Sequence, residues 1–573
     1  MFVFNSGGKP GGIIVAVLFL WAAVAPSLGA FKPGIDEPQV TGNQAVEDEY
    51  NLGWAELFVV TEPIFDESQQ RQIVRLSLQD CIARTLEHNL DLRTGSFDPA
   101  IQMAEVTRLE AAFDAVLVGS AQYEAFDQGN PNSGFFTRTI VRPSGQDTEK
   151  IGTDPFTQQK DYNYLFGLQK RLPTGATLEL AQRMRRLHMD REELFLNPYY
   201  ESSLDLELRQ PLLRDFGIDV NRASINAARN NLNISYQQYN LLAIQTVAEV
   251  ENNYWTLIFF RQRVRILEQL LDQVIRTNER LIRRTVFDAA ARNLGRSRGL
   301  IAQTQAELIS AKNDVITQQD RLLESINDPS LKLGPSWEII PTDKPSTVEY
   351  RMDRDEAVQI ALAQRPELIA QQLTIDTTEI ALGVAENQLY PRLDMVLRQE
   401  MNAPGGKPNL AWEEQNDYNA VNYTFGLSFE FPLGNRAAQA NMIQAQYERR
   451  QEKLRMENFR TQVQADVTIS WDSLVSAFQG IAPRITSVNE HANILKAQLA
   501  LERTDAKIDA NTLDIRLLNQ ERLAQAYDAL AQTIFTYNTA IISMQRAQGT
   551  LLRYNNIKLA ESPDDPGVVK IKR

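Results

Sequence analysis

The sequence predicts a mainly α-helical protein, built from long antiparallel coiled-coil hairpins and completed by β-strands of the kind that face a membrane. Three observations lead there. The first is a run in which Val467, Trp471, Leu474, Phe478, Ile481, Ile485, Val488, Ala492, Leu495 and Leu499 alternate spacings of four and three residues. That period is the seam of a helix coiling against neighbours. Extended from Arg436 to Arg503, at about 1.5 Å per residue, such a helix is roughly 100 Å long. The second observation is an internal repeat of one element order, and the third is a set of strands in which apolar and polar residues alternate without a break.

The chain has 573 residues, a net charge of -14 and a pI near 5.0. Its 59 Lys and Arg are scattered rather than gathered on one stripe, which argues against a nucleic-acid partner. A single cysteine, Cys81, excludes an internal disulfide. At the N-terminus, Lys9 precedes an apolar run from Ile13 to Ala25, too short to cross a membrane as a helix but suited to a secretory signal. Residues 1–30 are read as that signal, with cleavage after Ala30. Residues 31–75 are acidic and without sustained period, and are read as an irregular segment.

From Leu76 to Glu124 the chain aligns without a gap on Met352 to Glu400 at an offset of 276, placing Leu86 on Leu362, Leu92 on Leu368 and Leu117 on Leu393. A second alignment, at an offset of 217, places Gly217 on Gly434, Val250 on Val467 and Tyr254 on Trp471. Two halves of one architecture follow, residues 76–330 and 352–555, joined by a linker at 331–351 and trailed by residues 556–573.

The strands are expected at 116–126, 202–210, 392–401 and 422–431. In the last, Tyr423, Phe425, Leu427, Phe429 and Phe431 lie on one face and Asn422, Thr424, Ser428 and Glu430 on the other. Leu204, Leu206 and Leu208 oppose Ser203, Asp205, Glu207 and Arg209 in the same way, and Leu393, Met395 and Leu397 continue the apolar set. At about nine or ten residues these have the length of tilted membrane strands, so the apolar faces are assigned to lipid. Four strands leave open edges that hydrocarbon cannot satisfy, so a barrel must close between subunits. A further hairpin over 162–184, around Leu172–Gly175, either raises the count to six per subunit or stands in an outer loop.

The first long helix carries Val250, Tyr254, Leu257, Phe260, Val264, Leu267, Leu271, Val274 and Leu281 and is expected to break near Asn293–Gly295, with a return over 298–326. The second turns near Asp509–Asn511 and returns through Leu523, Tyr527, Leu530, Ile534, Tyr537, Ile541 and Met544 to Gly549. Pro483 is expected to kink the second long helix, while the equivalent stretch at Arg263 and Ile266 runs straighter.

Leu76–Leu92 and its echo Met352–Leu368 resemble the repeat openings of the TolC-like outer-membrane efflux proteins. So do Leu389–Leu393 before a strand, Gln210–Leu213 after one, and Tyr537–Ala540 leading to Gly549–Leu551 near the end of the last helix. The resemblance covers residues 76–554. It implies a homotrimer with a β-barrel of about twelve strands in outer-membrane lipid, continued by an α-helical tunnel across the periplasm. It also implies a periplasmic adaptor at the hairpin tips and an inner-membrane transporter behind it. Carried over by position, the tips are Asn293, Leu294, Gly295 and Ser297, and Ala510, Asn511, Thr512 and Leu513. The gate candidates are Asp505, Asp509, Asp514 and Asp288.

No enzyme chemistry is visible. His88, His188 and His491 lie far apart without a partner at ligand spacing, and Gly7–Lys9 lacks the context of a phosphate loop. No metal or cofactor is expected. The sequence therefore predicts a passive exit duct for small molecules or polypeptides, in an efflux or type I secretion system. The rival class is a secreted coiled-coil structural or adaptor protein, which shares the heptads but does not need the outward aromatic strand.

Overall fold

A computed structural model describes residues 62–65, 71–129, 135–142, 145–152, 156–189, 196–284, 291–331, 333–334, 337–417, 420–504, 510–562, 565 and 567–572. The chain divides into units at 1–51 and 52–573, and all described residues fall in the second. The first repeat comprises β1 (Gln72–Leu76), α1 (Leu78–His88), α2 (Leu90–Gly95), α3 (Asp98–Glu110), β2 (Ala115–Gly129), β3 (Phe135–Arg142), β4 (Gly145–Gly152), β5 (Phe156–Arg171), β6 (Thr177–Met189), β7 (Tyr199–Pro211), α4 (Ile218–Asn221), α5 (Ala223–Arg284) and α6 (Ala291–Ile326). After β8 (Trp337–Pro341), the second comprises α7 (Arg354–Gln364), α8 (Pro366–Asn387), β9 (Arg392–Gly405), α9 (Pro408–Asn416), β10 (Val421–Glu430), α10 (Arg436–Thr504) and α11 (Ala510–Gln548). The chain closes with α12 (Leu551–Tyr554), β11 (Lys558–Glu561) and β12 (Val569–Lys572).

The repeat is visible down to its caps. Helices α1 and α7 share their ends at the 276-residue offset, and each starts on a capping side chain. Ser77 accepts from the Asp80 amide, and Asp353 accepts from the amides of Asp355 and Glu356. Both strand-to-helix junctions need a glycine with positive φ, Gly217 at 108° and Gly434 at 88°, where a side chain would be strained.

Helix α10 is unbroken over 69 residues, and Pro483 sits inside it. Its heptad positions Val467, Leu474, Ile481, Val488, Ala492 and Leu495 are buried against Leu523, Tyr527, Leu530, Ile534 and Tyr537 of α11. Gly480 permits the close approach, since a Cβ there would lie 3.3 Å from Thr533 Cγ2. On α5 the same seam holds Val250, Tyr254, Leu257, Val264, Leu267 and Val274, but Leu270 rather than Leu271 is the more buried residue between Leu267 and Val274. Among the described residues no helix is long and apolar enough to cross a membrane.

The segments read as leader, linker and tail are partly ordered. β1 pairs in parallel with β8, and β11 pairs with β12. The linker is clamped onto both hairpins by hydroxyls and an amide. Tyr254 Oη donates to Asp343 Oδ2 at 2.7 Å, Tyr537 Oη accepts from the Tyr350 amide at 2.9 Å, and Asn538 exchanges bonds of 2.9 and 3.1 Å with the Ser346 backbone. Arg261 and Glu338, 0% and 1% exposed, pair at 2.9 Å beneath β8. Cys81 is buried and its thiol is pushed up to about 12 by that burial, so it stays protonated and inert.

Glu251 of α5 is buried and accepts a hydrogen bond from Asn555 Nδ2 at 2.6 Å. Burial pushes its carboxyl up from 4.5 to about 7. The folded chain therefore holds a proton that the unfolded chain releases between those values, so this group's contribution falls as pH rises through that window. Glu251→Gln should raise the thermal midpoint at pH 8 and leave it nearly unchanged near pH 4. Identical pH dependence of variant and parent in a melting series would contradict this.

Candidate functional site

Six strands of the chain form one antiparallel sheet in the order β10-β9-β7-β6-β5-β2. The hairpin over 162–184 is thus not a separate outer element. It supplies β5 and β6, which insert between β2 and β7 and pair with them over their full height. The sign of this insertion is in the sequence. The two repeat offsets, 276 and 217, differ by 59 residues, all gained between β2 and α5.

Register puts the apolar residues on one face. Leu117, Leu168, Leu180 and Leu206 stand directly opposite one another across β2, β5, β6 and β7. Leu178, Leu208, Leu397 and Phe425 do the same across β6, β7, β9 and β10. Leu204, Leu393, Met395, Tyr423, Leu427 and Phe429 share this face, with Phe431 just beyond the end of β10. Tyr423 is 77% exposed and Phe425 67%, an arrangement opposite to that of a water-soluble half-buried sheet.

The other face carries the charges. Asp205, only 3% exposed, accepts from Arg183 Nη1 of β6 at 2.7 Å and from Arg398 Nη2 of β9 at 2.6 Å. Arg185 binds Asp161 of β5 at 2.6 Å. Carboxylates of β5 and β7 are thereby tied to arginines of β6 and β9, whose planar donors suit such pairing. The sequence pattern shows which face is polar; only the register shows that the charges compensate.

At the opposite end of the helices, the described residues stop at Arg284 and resume at Ala291, and stop at Thr504 and resume at Ala510. Asp288, Asp505 and Asp509 lie outside the described residues. The break expected at Asn293–Gly295 is instead helical: Asn293, Leu294, Gly295 and Ser297 occupy the first turns of α6. Asn293 and Ser297 are buried, as is Leu513 on α11. Ser297 Oγ donates to Asn278 Oδ1 of α5 at 3.1 Å, and Leu513 packs with Leu517 against Leu270, Val274 and Leu281. Gly295 and Asn511 are exposed, and Leu294 and Thr512 half-buried. Ala510 opens α11. Asp514 pairs with Arg296 at 2.9 Å, joining the two hairpins. Among the described residues no group of acidic, His or Cys side chains could hold a metal.

No family model matches the chain, and no curated protein matches its sequence. Solved structures do. The Neisseria gonorrhoeae MtrE outer-membrane channel superposes with a TM-score of 0.57 at 16% identity, covering 83% of this chain and 89% of its own. The outer-membrane channel OprN gives 0.57 at 14%, covering 82% and 90%, and the Campylobacter jejuni CmeC outer-membrane channel gives 0.55 at 13%, covering 89% and 94%.

Removing the shared carboxylate leaves two arginines facing each other on the polar face. Asp205→Ala should therefore lower the thermal midpoint of the detergent-solubilised protein, and Leu206→Ala on the other face much less; the reverse order in parallel melts would refute the pairing as a stabilising tie. With charges on one face of its sheet, exposed apolar residues on the other and two long helical hairpins, the chain has the fold of these outer-membrane channels.

Proposed function

We propose that this chain is the outer-membrane exit duct of a multi-component export system, passing cargo without chemistry of its own. The observation that carries this is the six-stranded sheet with an exposed apolar face, a charged face whose aspartates are buried under arginines, and two unpaired edges. Such a sheet is unstable alone in water or lipid, because edge amides and carbonyls lack partners. An even number of alternating strands leaves β2 and β10 antiparallel, the relation they need to pair between copies. Three copies close a barrel of about eighteen strands, wider than the about twelve that the resemblance implies. The long hairpins then form the walls of a helical tunnel in the periplasm. The tip regions at Asn293, Leu294, Gly295 and Ser297 and at Ala510, Asn511, Thr512 and Leu513, with Leu294, Gly295, Asn511 and Thr512 the more open to solvent, are proposed to meet a periplasmic adaptor that links the duct to an inner-membrane transporter.

Asp505, Asp509, Asp514 and Asp288 are the acidic groups proposed to close the tunnel. Opening follows from helices shifting at the tips, with energy from the partners. A secreted coiled-coil protein would share the hairpins but would dissolve in buffer. After cell fractionation the duct reading expects a detergent-requiring trimer in the outer membrane, and a buffer-soluble protein would overturn it. For the gate, replacing Asp505 and Asp509 together by Ala should raise single-channel conductance in planar bilayers. Unchanged conductance would remove them from the constriction.

A further inference from the structure

On β6 and β7 the apolar face of the sheet is interrupted toward the end far from the long helices, while Phe166 and Tyr164 continue it on β5. There Gln182 of β6 and Ser202 of β7 lie on the same face as Leu204 and Leu206. Two polar side chains in that position would be costly in hydrocarbon unless bonded. Helix α9, between β9 and β10, lies over them from outside. Its Gln415 accepts from Ser202 Oγ at 2.5 Å and donates to Gln182 Oε1 at 3.1 Å, and Gln182 Nε2 donates to Ser202 Oγ at 2.9 Å. The contact is close: a Cβ on Gly405 would lie 2.6 Å from the Ala411 amide, and Ala411 is fully buried. Only a glycine lets the helix settle there.

Ala411 and Gln415 face the sheet, so helical spacing puts Trp412 on one flank, Glu414 on the other with Leu410 beyond it, and Asn409, Glu413 and Asn416 away. Leu410 and Trp412 are each 45% exposed. A flank carrying a tryptophan, on the outward face beside the polar patch of β6 and β7, has the composition of a bilayer–water boundary.

Resting on the exit-duct reading, we propose that α9 is an interfacial helix: it caps the polar patch of the outward face and holds Trp412 in the headgroup region of the bilayer. The partner surface is lipid, and the recognising chemistry is an amphipathic indole beside satisfied side-chain amides.

The test uses the full chain reconstituted into phosphatidylcholine vesicles, brominated either near the ester end of the acyl chains or near their methyl ends. The chain has six tryptophans, and Trp255, Trp337 and Trp471 lie on α5, β8 and α10, away from the sheet. The emission should be quenched more by the ester-end bromines, and Trp412→Phe should lose that component while floating with the vesicles as before. Equal quenching of parent and variant would overturn the interfacial placement and leave the duct reading intact. Stronger quenching of Trp412 by the methyl-end bromines would also overturn it. A protein that fails to float with the vesicles would overturn both.

Discussion

The carboxylate of Asp205, gripped from both sides by Arg183 and Arg398, is the interaction on which the sheet's inverted arrangement turns. An ordinary sheet buries its leucines and solvates its charges. Here Leu206, one residue along the strand, is exposed while Asp205 is nearly inaccessible. Burying a carboxylate costs more than any leucine repays unless it is paired and its lone pairs are filled. Two guanidiniums from neighbouring strands meet that condition. They also hold register, because a one-residue slip would send the arginines to the apolar face.

The sheet passes its geometry to the helices through short junctions. Strand β10 reaches α10 through Phe431, Pro432 and Leu433 and a left-handed Gly434, and β7 reaches α4 and then α5 through the equivalent Gly217. The long helices are held differently. A heptad seam supplies most of their burial, and Gly480 brings α10 and α11 together where a side chain would crowd Thr533. Across them runs the linker, fastened by Tyr254, Tyr537 and Asn538, with the Arg261–Glu338 pair beneath it. Polar contacts dominate this crossing because its extended backbone must be satisfied by side chains where no sheet neighbour exists. The motif Tyr537–Asn538, quoted above for its resemblance alone, has this structural task.

The insertion of β5 and β6 is the main departure from a four-stranded repeat unit. Adding a hairpin leaves the direction of the outermost strands unchanged, so the edges can still meet their counterparts. Adding one strand would have reversed an edge. It also creates the outward patch at Gln182 that α9 covers, which connects the first repeat to a helix of the second.

Periodicity alone determined a great deal: the seam of α10, the two-fold repeat, and which strand residues share a face. These are local patterns, written at fixed spacing, and they survive any tertiary arrangement. The structure decided what depends on distant partners. Nothing at positions 162–184 says which strands they pair with, although the 59-residue surplus marks the insertion. Asn293–Gly295 stay within α6 rather than breaking the helix, because Gly295 is a weak helix breaker once Leu300 and Ile301 pack against Leu270 and Val274. Leu513 is buried in that same packing. The pairing of Asp205 with Arg183 and Arg398, 22 and 193 residues away, and the seat of Gln415 on Ser202, 213 away, exist only once the sheet is assembled.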